Sequence, residues 1–415
     1  MNRNMDRSAG KWASVLQYLA VALIALGVVG CKTPPKASAP PLSFNDAVHT
    51  AAGALMTQVK KQEGVTGLAV GIATGRTIFM LDPVVDANTA EVNQASLAVE
   101  RILREEAAKV SERYVFVPLT LENYDTAKYV VSGAILYSAF APDGEKAAKD
   151  KMYKLALAVI ERKSGRVVAS SDAWISDKKI DVTPVAAYQD SPMYLKDKRV
   201  EGQIETAQMS PGQQADPNYF DSLPTASLLA EADAAYEAEK LEQALGMYKA
   251  ASLRPDGQIM KTYAGLYQTN RRLRKASEAE VAFGQLVNIG YQNNNISTKL
   301  FFGVASTDFI NDAELRSQYA IWLRQIAKLF ARSNGCLLIA GHSSHSGSAN
   351  FNEQLSLQRA TAVQKLMQKD FPQIQQRSKP VGLGWKENII GSGTDDIQDA
   401  IDRRVEFKLV ECGKL

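Results

Sequence analysis

The chain has 415 residues, and its 48 lysines and arginines nearly balance 45 aspartates and glutamates, leaving a formal net charge of +3. This balance argues against nucleic acid as a partner, because binding to a polyanion needs concentrated positive charge. Hydrophobic residues make up 46% of the chain, which is enough to form the cores of two or three domains.

Residues 1–30 have the pattern of a secretory signal peptide. Arg3, Arg7 and Lys11 precede an apolar run that extends from Val15 to Gly30 and is short for a membrane span. The run ends in Val-Val-Gly-Cys31, which resembles a bacterial lipobox. That resemblance implies cleavage before Cys31 and acylation of this cysteine, with palmitate among the chains. The alternative is an uncleaved signal anchor with an incidental cysteine.

Residues 31–41 predict a lipidated tether. Several acyl chains, each contributing about 0.8 kcal/mol per buried CH2, would hold Cys31 stably in a bilayer. Lys32 replaces the aspartate that would imply the inner membrane, so the resemblance implies an outer-membrane lipoprotein facing mainly the periplasm. The stretch "TPPKASAPP" that begins at Thr33 is typical of an extended spacer.

The first folded region is predicted to span residues 42–175 and to begin with a helix. Ser43 and Asp46 form a capping box, and the apolar spacing predicts that the helix stops near Gly64. A short strand, "TIFMLDP", follows. Asn88 or Thr89 is then expected to cap a second helix. The apolar face predicted for this helix contains Val92, Leu97, Ile102 and Leu103.

Four further strands are predicted in this region: "YVFVP", "KYVVSGAILYSAF", "YKLALAVIE" and "RVVASSDAW". Lys163-Ser164-Gly165 joins the last two as a hairpin turn. The pattern indicates an α/β domain with an antiparallel half. Its element order resembles the periplasmic domains of LpoB-type activators of penicillin-binding proteins and their CsgG-like and FlgO-like relatives, which implies a protein-binding module. Any other small α/β domain is the alternative.

Residues 176–224 are rich in Pro, Gln, Asp and Gly and predict a long irregular linker. From residue 225 to 292 the pattern becomes helical and resembles a pair of tetratricopeptide repeats. Apart from one missing residue before the proline, the positions that match the first repeat are Ala232, Tyr236, Leu241, Ala244, Tyr248, Ala251 and Pro255. Those of a looser second copy are Gly265, Tyr267, Ala276 or Ala279, and Phe283. An ordinary helical hairpin connector is the alternative.

Residues 297–415 predict a βαβαββ arrangement that starts with the strand "KLFFGVAS". Its motifs resemble those of the OmpA-like peptidoglycan-binding domain, in which a strand ends in Gly-His-Thr-Asp and is followed by Asn-x-x-Leu-Ser-x-x-Arg-Ala and Asn-Arg-Arg-Val. The matching residues are Gly341, His342, Gly347, Asn352, Leu355, Ser356, Arg359, Ala360, Arg403, Arg404 and Val405. The overall fold class is therefore a multidomain α/β and α protein.

The resemblance implies a ligand, the peptidoglycan stem peptide, whose diaminopimelate carries an ammonium and a carboxylate on one carbon. Arg359 can hold a carboxylate through two hydrogen bonds, and Arg404 offers a second cation. His342 belongs to the implied site. Asn352 is expected to cap the helix that presents Arg359, with Leu355 on its buried side.

The chain departs from the family pattern at the position where a carboxylate usually precedes the helix arginine, because this position is Ser344. An acidic position often found at the end of the first strand is Gly303. A charged hydrogen bond contributes about 1.5–3 kcal/mol and a neutral one about 0.5–1.5 kcal/mol, so the exchange predicts weaker binding. Asp308 is a candidate to compensate.

Other chemistry in this region has weak support. His342 and His345 have H-x-x-H spacing but no acidic or cysteine neighbour in sequence, so we expect no metal, and no pattern calls for a cofactor. Ser343 lies beside His342 without a nucleophile-elbow pattern. The stretch "GSGTDD" at 391–396 is expected to be a surface loop.

Cys336 and Cys412 are the cysteines that remain besides Cys31. In an oxidising periplasm they predict a disulfide, provided that their strands are neighbours. Taken together, the sequence predicts a non-enzymatic envelope scaffold or adaptor, held between outer membrane and peptidoglycan beside an unidentified protein partner, a penicillin-binding protein or an assembly machine. The alternatives are an OmpA fold that serves a protein partner instead of peptidoglycan, and a murein-active enzyme.

Overall fold

The computed structural model describes residues 40–70, 75–140, 150–389 and 401–415. The predicted signal peptide, Cys31, nearly all of the tether and the loop at 391–396 lie outside the described residues. Each described helix is too short or too polar to cross a membrane.

The helices alternate with strands at both ends of the chain and follow one another directly in its middle. The α-helices are α1 Phe44–Val70, α2 Gln94–Val110, α3 Leu121–Thr126, α4 Ala186–Gln189, α5 Lys198–Ala207, α6 Pro217–Phe220, α7 Leu223–Glu237, α8 Leu241–Ser252, α9 Met260–Arg272, α10 Ala276–Gln292, α11 Ala313–Arg332 and α12 Ala349–Met367. The strands are β1 Thr77–Leu81, β2 Val85–Asp86, β3 Tyr114–Pro118, β4 Tyr129–Phe140, β5 Asp150–Glu161, β6 Arg166–Ile175, β7 Cys336–Gly341, β8 Ser378–Gly382 and β9 Val405–Val410. Short 3₁₀ turns occupy Pro255–Gly257, Pro372–Gln375 and Cys412–Lys414.

The first sheet has the strand order β3-β1-β4-β5-β6, with β2 also paired to β4. β1 is parallel to β3 and β4, whereas β4, β5 and β6 are antiparallel. Helices cover both faces: Phe79 and Leu81 pack with α1 and α2, and Met80 packs with Tyr219 and Leu223. Because both faces are buried, these strands read as nearly continuous apolar runs. The predicted α/β arrangement with an antiparallel half is confirmed.

Two predicted helix boundaries in this region are wrong. The first helix continues past Gly64 to Val70, and a Cβ at Gly64 would meet nothing within 4 Å, so this glycine lies in the helix without a packing role. The second helix is capped by Asn93, whose side chain accepts from the Ser96 backbone N–H while Ser96 accepts from the Asn93 N–H. Leu97 is 42% exposed and lies off the buried face.

The predicted linker is not irregular throughout. Asp197 accepts from the backbone N–H of Val200 and caps α5, and Asp216 accepts from that of Tyr219 and caps α6. A composition rich in Pro, Asp and Gln conceals these short helices, because Asp and Pro are common both in loops and in first turns.

The middle of the chain folds as two helical hairpins, α7–α8 and α9–α10. The aromatic positions of the repeat pattern are buried, among them Tyr236, Tyr248 and Phe283. A Cβ at Gly265 would lie 2.2 Å from the Tyr248 ring, so this glycine permits the close approach of α9 and α8. Two hairpins agree with the predicted spacing, and the assignment to the tetratricopeptide class stays a prediction.

The helical hairpins and the C-terminal region share one hydrophobic core. Phe283 of α10 stacks on Trp322 of α11 with ring centroids 5.9 Å apart, and the Trp322 indole N–H donates to Tyr267 Oη at 2.7 Å. A buried contact of this kind makes the two regions stabilise each other.

The second sheet has the strand order β8-β7-β9, in which β7 is parallel to β8 and antiparallel to β9. The strand predicted from "KLFFGVAS" is wrong, since these residues make a single isolated bridge, that of Phe302 with Phe309. Ile296 bridges Phe407 beside β9, but Thr298 already bridges Met193, so the segment leaves the sheet after one contact. The predicted disulfide between Cys336 and Cys412 is present and fastens the end of the chain to β7.

Candidate functional site

Two glycines allow helix α12 to lie directly against the ends of β7 and β8. A Cβ at Gly341 would lie 1.9 Å from the Ser356 carbonyl oxygen, and one at Gly382 would lie 2.2 Å from that of Glu353. The Ser356 hydroxyl accepts the backbone N–H of Gly384 at 2.9 Å. Helix and strands therefore meet without intervening side chains at the place where β7 enters the loop that begins at His342.

The loop between β7 and α12 has a defined conformation. Gly347 has a φ of +84°, a backbone region that favours glycine. Ser348 caps α12 by accepting from the Phe351 N–H. The prediction that Asn352 caps this helix is wrong, because Asn352 lies in the first turn and its amide donates to the carbonyls of Ser346 and Ser348. Asn352 therefore holds the loop to the helix.

Leu355 is buried on the inner side of α12, as predicted. Ser344 is also buried, in the same loop as His342. Among the sequence-predicted residues, His342 and Ser344 lie in the loop before α12 and Asn352 lies in its first turn. Arg359, in the middle of α12, contacts the loop through the His342 carbonyl.

Arg359 is fully buried, at 0% exposure. Its Nη1 donates to the His342 carbonyl at 3.2 Å. Its Nε donates to the Ser306 carbonyl and its Nη2 to the Gly303 carbonyl, both at 2.9 Å. The guanidinium carbon lies 5.2 Å from the centre of the Phe302 ring. The Nε–Nη2 edge is therefore occupied by two backbone carbonyls of one loop.

That loop, residues 303–308, is short and mostly exposed. Asp308 closes it, because the Asp308 carbonyl accepts the Gly303 N–H at 3.0 Å and the Asp308 N–H donates to Ser306 Oγ at 2.9 Å. Ala305 has a φ of +49°, a left-handed conformation that costs a non-glycine residue about 1 kcal/mol. Val304 is 57% exposed. The loop covers the arginine without contributing much to the core.

Arg404 lies on the other side of His342. The Arg404 carbonyl accepts the His342 N–H at 2.9 Å. Its side chain is buried, and Nε donates to Glu406 Oε1 at 2.7 Å while Nη2 donates to the Glu387 carbonyl at 3.2 Å. The second predicted cation is therefore engaged with a neighbouring carboxylate.

The electrostatics of this cluster follow from burial and from the Arg404 charge. Burial alone would raise the pKa of Glu406, but its contact with His342 and the charge of Arg404 outweigh burial and hold that pKa well below its usual range. Burial lowers the pKa of His342, with Glu406 opposing the shift. The imidazole is consequently neutral and the carboxylate ionised at neutral pH.

The two histidines of the H-x-x-H pair have different neighbours. His342 is buried beside Glu406, whereas His345 is exposed and packs edge-on against the Trp385 ring at 4.4 Å. Sequence reasoning missed Glu406 and the loop carbonyls that bind Arg359. Alternation along the last strand places Arg404 and Glu406 on one face and could have indicated Glu406. Nothing in the sequence indicates the loop carbonyls.

Comparison with known protein families gives a match in the C-terminal region. The sequence profile of the OmpA family matches residues 309–401. Solved structures also resemble part of this chain. The peptidoglycan-associated lipoprotein of Burkholderia pseudomallei is 22% identical, with 27% of this chain and 88% of that chain covered and a TM-score of 0.22. The periplasmic domain of Helicobacter pylori MotB (residues 78–256) is 15% identical, with 27% and 71% covered and a TM-score of 0.21.

A MotB-like protein from Desulfovibrio vulgaris is 20% identical, with 34% of this chain and 99% of that chain covered and a TM-score of 0.23. No curated protein matches the chain significantly. The family match includes the loop after β7 and the whole of α12. Residues 309–401 of this chain therefore form an OmpA-family domain.

Proposed function

We propose that the C-terminal domain binds the peptidoglycan stem peptide non-covalently, with Arg359 as the residue that holds a ligand carboxylate. The observation that carries the proposal is the OmpA-family match over residues 309–401, which includes the helix that presents this arginine. Binding of peptidoglycan is what the family resemblance implies.

The hydrogen bonds of Arg359 suggest how a carboxylate would bind. A carboxylate pairs with the Nε–Nη2 edge of a guanidinium through two parallel hydrogen bonds. In this chain the carbonyls of Ser306 and Gly303 accept from that same edge. A ligand carboxylate would replace both carbonyls at once, and the Nη1 bond to His342 would keep the guanidinium in place.

Binding by this route requires the 303–308 loop to move away from Arg359. Exposure of Val304 and the left-handed Ala305 make this movement inexpensive compared with opening the core. Part of the binding free energy is spent on the movement, so we expect affinity below that of a site with an exposed arginine. Ser344 in place of an acid weakens the ammonium side further.

Sedimentation with purified sacculi tests the proposal on the chain from Lys32 onward, which lacks the predicted acylation site. The chain should pellet with sacculi, and Arg359→Ala should remain in the supernatant. Arg332→Ala removes the same charge from the exposed end of α11 and should pellet like the wild type. A wild-type chain that stays in the supernatant would contradict peptidoglycan binding.

Burial of both cations supports a second candidate function. Arg359 and Arg404 are 0% and 3% exposed, which suits a domain whose arginines stabilise its fold while its surface binds a protein. In that case sacculi would not retain the chain, whereas an envelope protein would.

We further propose that Cys31 anchors the chain to the outer membrane and that the protein acts as a scaffold or adaptor, with the α/β and helical regions available to a penicillin-binding protein or an assembly machine. An anchored chain that also binds peptidoglycan would hold these regions at high local concentration near such partners. We propose no catalytic step. Release of soluble fragments from sacculi by the purified chain would instead indicate a murein-active enzyme.

A further inference from the structure

Three side chains with metal-binding atoms converge beside β9: His342, Glu387 and Glu406. One ligand atom from each lies within 4.8 Å of the other two. Sequence spacing does not bring them together, since they come from the loop after β7, the turn after β8 and strand β9 itself. This grouping is distinct from the H-x-x-H pair, because His345 faces Trp385 instead.

His342 provides an independent indication that a ligand binds there. Its side chain is fully buried, and neither Nδ1 nor Nε2 has a hydrogen-bond partner among the described residues. Nε2 lies 3.7 Å from Glu406 Oε2, which is beyond hydrogen-bond length. A buried polar group without a partner costs about 1–3 kcal/mol, so such groups are rare unless something binds them.

The neighbours of Glu406 orient its second oxygen, Oε2, towards the histidine. Arg404 Nε binds Oε1 at 2.7 Å, which leaves Oε2 on the side of His342. An arginine on the outer oxygen of a carboxylate is a common way to fix the orientation of a metal ligand. Glu387 is half-exposed and gives an ion a route from solvent to the buried imidazole.

We propose that His342 Nε2, Glu406 Oε2 and the Glu387 carboxylate bind one Zn²⁺ ion. Imidazole and carboxylate together suit zinc, which takes three protein ligands and leaves a fourth position for water or another group. Ligand atoms of a tetrahedral zinc lie about 3.4 Å apart, given Zn–N and Zn–O distances of about 2.0–2.2 Å. The present ligand atoms lie up to 4.8 Å apart, and rotation of the half-exposed Glu387 side chain would bring its carboxylate closer to the other two.

Lys408 competes with the ion. Its Nζ lies 3.1 Å from Glu387 Oε2 and 3.9 Å from Glu406 Oε2, and its side chain is partly exposed. Zinc binding must move this ammonium into solvent, whereas Arg404 stays on the far oxygen of Glu406. The charge of Lys408 therefore lowers the affinity for zinc, and its removal should raise it.

Isothermal titration of the tag-free chain from Lys32 with ZnCl2 tests the proposal without any sacculi, so its outcome is independent of peptidoglycan binding. We expect one equivalent of zinc. Glu387→Gln, at an exposed position that leaves the fold intact, should weaken binding at least tenfold, and His342→Gln should abolish it. His345→Gln is the matched control on the same loop and should bind like the wild type. Lys408→Gln should bind several-fold more tightly.

A wild-type chain that takes up no zinc would overturn the proposal. So would zinc affinity that is unchanged in Glu387→Gln, or zinc binding that disappears in His345→Gln, because the ion would then be bound elsewhere. Unchanged affinity in Lys408→Gln would contradict the assigned ligands.

Discussion

Arg359 Nη2 donates to the Gly303 carbonyl at 2.9 Å, so a guanidinium implied to bind an anion is covered by a backbone carbonyl from a distant loop. The Ser306 carbonyl accepts from Nε of the same edge. Two carbonyls 3 residues apart thus take the place that two carboxylate oxygens would occupy. This arrangement gives Arg359 a structural role, and under the proposed function its binding role would require the loop to move.

The structural role predicts a loss of stability in Arg359→Ala. The substitution removes three hydrogen bonds to backbone carbonyls, those of Gly303, Ser306 and His342, and it removes packing over Phe302. The Gly303 carbonyl keeps the Ser306 N–H as a donor. Loss of buried hydrogen bonds to a charged group of this kind should lower the free energy of unfolding by about 2–4 kcal/mol. Denaturant unfolding followed by circular dichroism measures the change.

The exposed Arg332→Ala is the control for this measurement and should change stability by less than about 0.5 kcal/mol. Equal stability of Arg359→Ala and the wild type would mean that the buried guanidinium does not hold the loop. The same measurement establishes whether the variant is folded before its sedimentation is interpreted.

The close approach of α12 and β7 predicts that Gly341→Ala is destabilising. The added Cβ would lie 1.9 Å from the Ser356 carbonyl oxygen, so helix or strand must shift, at a cost of about 1–3 kcal/mol. Gly413→Ala adds a Cβ that meets nothing within 4 Å and should leave the unfolding midpoint unchanged. A tolerated Gly341→Ala would show that α12 is free to move off the sheet.

The burial of Glu100 predicts that the stability of the α/β region depends on pH. Burial raises its pKa to about 7, with Asp82 adding to the shift and Arg104 opposing it. An acid whose pKa is raised in the folded state costs nothing below its unfolded pKa of about 4.5, and destabilises increasingly as pH rises towards 7. Glu100→Gln should therefore stabilise the chain by about 1–3 kcal/mol at pH 8 and by nothing at pH 4.5.

Thermal unfolding of Glu100→Gln at both pH values checks this prediction. The exposed Glu105 of the same helix provides the control, since Glu105→Gln should shift the midpoint little at either pH. A stabilisation by Glu100→Gln that is equal at pH 4.5 and pH 8 would contradict the raised pKa.

The serine at position 344 predicts that an acidic substitution there strengthens binding to sacculi. If a ligand ammonium lies on its side of the site, Ser344→Asp should tighten binding to sacculi several-fold to tenfold, since a charged acceptor replaces a neutral one at about 1 kcal/mol. Ser317→Asp adds the same charge at an exposed position of α11 and should not change binding. Weaker pelleting of a folded Ser344→Asp chain would place the ammonium elsewhere.

The sequence predicted the elements whose pattern is local. Alternation and apolar runs identified every strand of the first sheet except the two-residue β2, and the paired cysteines predicted the disulfide. The motif beginning at Gly341 placed Arg359 on its helix. The strands and the helix depend on patterns within a few residues, and the disulfide depends on a pair of cysteines in an oxidising compartment, so a single sequence contains both signals.

Features that depend on distant segments were missed. The stretch from Lys299 to Ser306 has the composition of a strand, but the bridge between Thr298 and Met193 draws it away from the sheet. Its carbonyls then reach Arg359, and backbone atoms have no signature in sequence. The Glu406–Arg404 contact is different, because the two residues are two positions apart and alternation along the last strand places them on one face.

Isothermal titration with a soluble stem peptide that ends in diaminopimelate tests the central claim most directly. The chain from Lys32 should bind the peptide, and Arg359→Lys, which keeps the charge but loses the two-donor edge, should bind at least tenfold more weakly. Amidation of the diaminopimelate carboxylate should weaken binding to the wild type by a similar factor. Equal affinity of wild type and a folded Arg359→Lys chain for the peptide would contradict the assignment of Arg359 as the residue that holds its carboxylate.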